Sequence, residues 1–292
     1  MKVNSLISEI IRGEWLLDIR NIESYFPMVD KILAGQPLNL PQSTKSIFNI
    51  IDASGNSLKA NENGVVNVPE GSIAIVSMIG EIVKYGDACI YGADEIVAAL
   101  TKAQNMKNVV ATIFKIDGPG GAVSAVGPFM EFAQTEKKHP IIGLCDNALS
   151  AHYWIAAETC DYIMAENTVS SRFGSIGVML SFADNKKALE EKGYTIHEIY
   201  PPESSYKNQA FILAREGKYE MIKSEFLSPM AKKFQESVRA KRPNIKEEAG
   251  VLNGKVFFAE EALRLNMIDG IGGMQKAIRQ AIAMSSIQLF NN

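Results

Sequence analysis

Apolar strands alternate with amphipathic helices from Ser72 onward, and this alternation limits the possible folds more than any other feature of the sequence. The runs "SIAIVSMIG", "VVATIFKID" and "IIGLCD" are rich in β-branched and apolar residues, which is typical of buried strands. Segments with helical spacing separate them, at 93–107, from Ala122 to about Lys137, and in "SAHYWIAAE". The pattern therefore predicts an α/β fold with a mostly parallel sheet and helices packed around it.

The other segments of the chain differ in polarity and in hydrophobic periodicity. The first ~40 residues have helical spacing, and residues 41–70 are polar and predict a connecting arm that could include a hairpin. "SIGVML" and "YTIHEIY" predict two further strands, and 219–241 predicts a long helix. We therefore expect a helical arm and linker over 1–70, the α/β domain over 71–285 and a tail over 286–292.

Net charge and cysteine content indicate which binding partners and which cellular compartment to expect. The 292 residues include 30 Lys and Arg against 33 Asp and Glu, for a net charge of −3, which gives no reason to expect nucleic acid or an anionic membrane as a partner. No run of 18 apolar residues predicts a membrane span, and the N-terminus does not resemble a signal peptide. Cys89, Cys145 and Cys160 have no CxxC spacing, so reduced thiols in a cytoplasmic setting are expected.

The common catalytic signatures are absent from the sequence. The histidines are His139, His152 and His197, with no HExxH and no cysteine–histidine cluster, so no zinc site is predicted. There is no GxxxxGK[ST] loop, no GxGxxG and no GxSxG. We therefore predict no metal and no cofactor.

Two loops at strand ends could carry chemistry. "GPGG" follows a predicted strand and precedes a predicted helix. Glycines there permit a sharp turn whose N–H groups point outward and could bind an anion. An ordinary tight turn between a strand and a helix explains these glycines equally well. In "CDNALSAHYW", Ser150 begins a helix between small neighbours, and a helix N-terminus favours negative charge. A helix cap or a packing residue is the alternative. Lys207, taken alone, fits a surface lysine.

Together these pieces resemble peptidase family S49, which includes signal peptide peptidase A and phage prohead proteases. The family's D-x-P-G-G turn is matched by 117–121, and its A-S-x-x-Y-[YW]-I-A segment is matched from Ser150 to Ala156, with Leu149 in place of the first alanine. "GSIGV" follows, then Tyr206-Lys207 and the closing "GKVFFAEEALRLNMIDGIGG". The similarity covers roughly residues 72–275.

The resemblance implies a ClpP/crotonase-like fold of repeated β-β-α units and a Ser–Lys dyad. Ser150 would be the nucleophile and Lys207 the general base. The backbone N–H groups of Gly121 and Ala151 would hold the oxyanion, with Gly120 supporting the turn, and Ser175 would orient the lysine. Four nearby lysines are alternatives to Lys207, namely Lys186, Lys187, Lys192 and Lys218.

The residue composition of the N-terminal arm and of residues 177–199 is typical of the phage members of the family. We expect a phage or prophage capsid-maturation (prohead) protease that acts on protein or peptide substrates, such as capsid or scaffold proteins, in the bacterial host cytoplasm or the assembling prohead. A soluble signal-peptide-peptidase-like enzyme, a crotonase-like acyl-CoA enzyme and a catalytically silent scaffold remain alternatives. The resemblance also implies a homo-oligomer whose dyad could form between subunits.

Overall fold

The computed structural model describes residues 46–61, 66–86, 91–182, 184 and 186–291, together with the backbone of 14–17. The strands are β1 Glu14–Leu17, β2 Phe48–Ile51, β3 Ser72–Ile79, β4 Val109–Gly118, β5 Gly120–Ala122, β6 Ile141–Leu149, β7 Tyr162–Ala165, β8 Arg172–Gly174, β9 Met179–Leu180, β10 Val256–Phe258 and β11 Gly270–Ile271. The helices are α1 Ala93–Asn105, α2 Val126–Thr135, α3 Ala151–Thr159, α4 Lys186–Glu191, α5 Gln209–Arg215, α6 Glu220–Ile222, α7 Ser228–Lys241, α8 Ala259–Arg264 and α9 Met274–Asn291. Five π-helical residues, Lys223–Leu227, join α6 to α7.

The main sheet has the order β10-β8-β6-β4-β3-β2, with β7 and β11 branching from β6. The central pairs β3–β4, β4–β6 and β6–β7 are parallel, whereas β2 and β10 pair antiparallel at the edges. This confirms the predicted α/β class with a mostly parallel sheet. Because β2 pairs with β3, the polar linker contributes an edge strand to this sheet.

Strand β6 changes its partner halfway along its length. Its first half pairs with β7 up to Cys145 opposite Ala165, and its second half pairs with β8 from Asn147 opposite Arg172. Asp146 lies at the fork, where its carboxylate accepts a hydrogen bond from Ser170 Oγ at 2.7 Å. The fork directs the carboxyl end of β6 away from β7 and toward β8.

Helices cover both faces of the sheet. One apolar cluster packs α1, α2, α3 and α7 against one face, with Phe114, Phe129 and Phe234 fully buried. A second cluster packs Ala277, Ile278 and Ala281 of α9 against the other face. Among the described residues, no helix combines the length and the apolar character needed to cross a membrane.

A second, three-stranded sheet has the order β5-β1-β9. Strand β1 lies between the other two and is antiparallel to both, with Leu16 opposite Gly121 and Trp15 opposite Met179. Strands β5 and β9 therefore lie on either side of β1, and we call the position that β1 occupies between them the β5–β9 slot. Two strand spacings put its edges about 10 Å apart.

Several predicted elements are wrong. Glu14–Leu17 is a strand, although helical spacing was predicted for this part of the chain; the rest of the first 40 residues lies outside the described part. "YTIHEIY" forms no strand: it is exposed along nearly its whole length, and no strand of the described residues pairs with it. The predicted strand "SIGVML" is β9 at its end only. Helix α2 begins at Val126, four residues later than predicted, because Ala122 ends β5 and Val123–Ala125 form a 3-10 turn.

Candidate active site

Ser150 lies at the junction between β6 and α3, with 2% of its surface exposed. Its backbone has φ 55° and ψ −118°, a conformation that residues other than glycine rarely adopt and that costs about 1–3 kcal/mol. The hydrogen bond from Ser150 N to Gly174 O, 2.8 Å long, helps to hold this turn. Its hydroxyl does not cap the helix that follows. The cap interpretation is therefore wrong, and a strained residue of this kind is typical of a functional position.

Helix α3 is buried along almost its entire length and is fixed at several points. The indole of Trp154 stacks on the ring of Phe234 in α7, with centroids 4.5 Å apart, and donates a hydrogen bond to Ser237 Oγ at 2.7 Å. Tyr153 donates its hydroxyl hydrogen to Met267 O at 2.8 Å. Since Ala151 is the first residue of this helix, its N–H has no acceptor within the helix. A rigid helix thus presents the Ala151 N–H directly after Ser150.

The glycine turn lies next to the carboxyl end of β6. Gly118 is opposite Ala148, two residues before Ser150. Asn147 Nδ2 donates a hydrogen bond to Asp117 Oδ1 at 2.9 Å and ties the turn to β6. A Cβ at Gly118 would lie 2.2 Å from His152 Nε2 and 2.4 Å from Gly80 O, so only glycine fits there. The backbone therefore brings the two loops predicted from sequence to the same edge of the sheet.

The backbone amide of Gly121 points away from Ile82. The neighbouring Gly120 O and Ala122 N bond to Ile82 N and Ile82 O at 3.1 and 2.9 Å, so one edge of β5 faces Ile82. Backbone groups alternate between the two edges of a strand, and the Gly121 N–H consequently faces the β5–β9 slot. A Cβ on Gly121 would lie 2.0 Å from Ile82 O. Glycine at this position permits the close approach of Ile82.

Ser175 also lies at this edge. Leu149 and Gly174 are paired residues of the parallel strands β6 and β8, so Ser150 and Ser175 each occupy the next position along the chain. Ser175 has φ 56° and donates its N–H to Lys255 O at 2.9 Å. The backbone therefore places Ser175 beside Ser150.

Lys207 lies in an exposed turn between Pro202–Ser204 and α5, and its N–H bonds to Ser204 O at 3.0 Å. Within the described residues, its ammonium group forms no ion pair and no hydrogen bond. The described chain brings Ser150, Gly121, Ala151 and Ser175 together, but it shows no contact between Lys207 and any of them.

His152 is the nearest histidine in sequence to Ser150, and its environment makes it a poor base. It is fully buried, and neither ring nitrogen has a hydrogen-bond partner in the described structure. Burial lowers its pKa to about 3, against a small opposing effect of the Gly80 carbonyl. The imidazole is therefore neutral at physiological pH, and it fills the space beside Gly118 instead of facing solvent.

Sequence analysis missed the residues that hold the two loops in place. Arg172 Nε donates to Asn147 Oδ1 at 3.0 Å, and Asn147 in turn donates to Asp117, so one chain of hydrogen bonds links β8, β6 and the glycine turn. The only available signal was a run of polar residues, "DN", within an apolar strand. Their partners lie 25 and 30 positions away in sequence, which no local pattern indicates.

An apolar cavity borders the β5–β9 slot. It lies between Val123, directly after β5, and Leu180 of β9. Its remaining lining comes from the helices on that side, namely Phe211, Ile222, Phe226, Leu227 and Met230, together with Val178. A slot with an extended backbone on each side suits a peptide segment in strand conformation.

The chain is similar in sequence to known proteins. A family model described as peptidase family S49 matches residues 133–288, just over half of the chain. The chain is 28% identical over 221 residues to "Protease 4" of Haemophilus influenzae, covering 74% of this chain and 35% of that protein. It is 26% identical over 199 residues to "Head-tail preconnector protein GP5" of Enterobacteria phage P21, covering 67% of this chain and 36% of that protein.

The chain spans about a third of the length of these two relatives. It is also similar to a solved structure described as a "1510-N membrane-bound stomatin-specific protease K138A mutant in complex with a substrate peptide", with a TM-score of 0.46 and 16% identity, over 74% of this chain and 80% of that one.

Proposed function

The chain belongs to peptidase family S49, and we propose on this basis that it is a serine endopeptidase with Ser150 as nucleophile and Lys207 as general base. The observation that carries the proposal is the strained Ser150 at the start of a buried helix, beside the glycine turn. Strain of this kind persists only where the surrounding structure over-determines it. The fixed helix and the Asp117–Asn147–Arg172 hydrogen bonds supply that support.

The proposed reaction is acyl transfer in two steps. Ser150 Oγ bonds to the scissile carbonyl carbon while the neutral amine of Lys207 takes the hydroxyl proton. The Lys207 ammonium then gives that proton to the leaving amine as the peptide C–N bond breaks. Water, deprotonated by the same lysine, releases the acyl group and restores Ser150.

The N–H groups of Gly121 and Ala151 are the proposed donors to the oxyanion. Ala151 is at the first position of α3 and Gly121 faces the β5–β9 slot, so neither amide is used by the main sheet or by the helix. The loss of one such donor typically costs about 2.7–4 kcal/mol of transition-state stabilisation. Gly120, with φ 118°, supports the turn that aims Gly121.

Lys207 is proposed to act across a subunit contact in a homo-oligomer. A lysine is a base only as a neutral amine, and burial favours that form. Lys207 is exposed and unpaired within the described chain, which fits a side chain that is buried only on assembly. Ser175, beside Ser150, is the proposed hydroxyl that orients the incoming lysine.

The proposed role is capsid maturation in a phage or prophage, with capsid or scaffold proteins as substrates in the host cytoplasm or the prohead. Similarity to a protein named as a phage head-tail preconnector supports this role. Similarity to "Protease 4" supports the second candidate, a soluble enzyme that degrades short peptides.

Substitution of the dyad tests the proposal. Ser150→Ala and Lys207→Arg should each lower casein hydrolysis by about 10⁴-fold, because the first lacks the nucleophile and the second keeps a protonated guanidinium that cannot accept a proton. Matched controls are Ser285→Ala, a buried serine on α9, and Lys218→Ala, whose ammonium pairs with Glu216. Hydrolysis that survives in Ser150→Ala, or that is lost in Lys218→Ala and not in Lys207→Arg, would reject the assignment.

A further inference from the structure

We propose that Glu14–Leu17 is an autoinhibitory strand that occupies the binding site of the peptide substrate, an inference that rests on the proposed peptidase function. Among the described residues, β1 is the one element between β5 and β9, and it pairs with both. In its absence these two strands would present unpaired backbone edges about 10 Å apart. Such edges bind an extended peptide by strand addition.

The position of β1 places it over the proposed oxyanion donor. Leu16 is opposite Gly121, whose N–H faces the slot because Gly120 O and Ala122 N are bonded to Ile82. A strand paired at this position satisfies the same amide that a substrate needs during acyl transfer. Strand β1 therefore blocks the proposed oxyanion donor as well as the peptide-binding slot.

The direction of β1 matches that of a substrate running toward the nucleophile. It is antiparallel to β5, so its carboxyl end, Leu17, lies opposite Gly120. Gly120 follows the turn whose Gly118 pairs with Ala148, two residues before Ser150. A peptide in this register extends from the slot toward Ser150.

Tethering makes even a weak strand effective. A segment linked to its own site acts at an effective concentration of about millimolar, above that of most peptide substrates in an assay. An arm bound nine-tenths of the time lowers the apparent affinity for substrate about tenfold. Regulation then amounts to displacement of β1, by a substrate that binds more tightly or by an assembly partner that takes up the arm.

The full-length variant Leu16→Pro tests this inference. Strand β1 has a hydrogen-bonded partner on each side. A proline at its centre has no backbone N–H, so one hydrogen bond to β5 or to β9 is lost. Leu16→Val keeps the N–H and is the matched control. We expect kcat/KM for an unstructured fluorogenic peptide to rise about tenfold in Leu16→Pro and to stay near the parent value in Leu16→Val. A synthetic peptide of residues 11–21 should raise KM of Leu16→Pro without changing kcat.

Equal kcat/KM in the parent and in Leu16→Pro would overturn the inference while leaving the peptidase proposal intact. If neither protein shows Ser150-dependent hydrolysis, the peptidase proposal fails, and amide hydrogen exchange then decides the occupancy of the slot. Faster exchange at Gly120–Ala122 in Leu16→Pro than in Leu16→Val would support occupation by β1. Equal exchange in the two variants would reject it.

Discussion

The chemistry of this site depends on single residues in unusual backbone conformations. Ser150 and Ser175 both have positive φ, at 55° and 56°, and they follow adjacent parallel strands. The motif around Ser150 could be found in the sequence, but its strain could not, since the hydrogen bond that helps to hold it joins Ser150 N to Gly174 O, 24 positions away in sequence. Lys207 was also identified from the motif alone, and its role stays a prediction because no described contact joins it to Ser150.

His152 makes a prediction about stability and pH. Its pKa is about 3 in the folded protein, against an ordinary value of 6.5, so between these values the unfolded chain binds one more proton. The free energy of unfolding should therefore fall by about 1.4 kcal/mol per pH unit as pH drops through this range. His152→Leu removes both unpartnered nitrogens, and it should lose about 2 kcal/mol less than the parent between pH 7 and pH 5.

Urea unfolding of the two proteins at both pH values measures this difference. His139 also has a pKa lowered by burial, but it titrates in both proteins and cancels in the comparison. Identical pH dependence of the parent and His152→Leu would show that His152 gains a proton in the folded state as readily as in the unfolded chain.

At the scale of elements, the fork in β6 creates the site. Its second half leaves β7 and joins β8, which brings the end of β6 beside Gly118 on one side and Gly174 on the other. Strands β3, β4 and β6 were predictable from their β-branched and apolar runs, because each is long and mostly buried. The fork was not, since it depends on Asp146 and on hydrogen bonds to residues about 25 positions away.

The failed element predictions have a common physical cause. Periodicity reports which residues could face a core, but pairing decides whether a strand forms. "YTIHEIY" alternates well, yet nearly all of it is exposed and it has no partner. Glu14–Leu17 has helical spacing around it, yet it is a strand because the open edges of β5 and β9 bind it.

The glycine turn gives a prediction with an internal control. Gly121→Ala places a Cβ 2.0 Å from the backbone oxygen of Ile82, which must shift and carry β5 with it. Gly127→Ala lies in helix α2 with no atom within 4 Å of the new Cβ. We expect Gly121→Ala to lose peptidase activity by at least about 10²-fold. Gly127→Ala should remain active and gain up to about 1 kcal/mol of stability from helix propensity.

Casein hydrolysis and thermal unfolding of both variants provide the measurement. An active Gly121→Ala with an unshifted melting temperature would contradict this prediction, because it would mean that β5 accommodates the added Cβ without moving the amide of residue 121.

At the scale of the whole molecule, the proposed dyad requires assembly. Mixing inactive Ser150→Ala with inactive Lys207→Ala protein should restore part of the activity, because a mixed contact can pair an intact Ser150 of one subunit with an intact Lys207 of another. Subunit exchange is verified with two fluorescent labels, and casein hydrolysis is followed over the same period. A mixture that exchanges fully and stays inactive would show that each chain closes its own dyad.

Covalent labelling tests most directly whether Ser150 is the nucleophile. The full chain is incubated with a fluorophosphonate, which bonds to an activated serine oxygen, and the adduct is located by tandem mass spectrometry. We predict a single adduct on Ser150 that is absent from Ser150→Ala and forms more slowly in Lys207→Ala, because the hydroxyl then has no base. An adduct on another serine, or an unmodified Ser150 in a preparation that hydrolyses casein, would contradict the assignment.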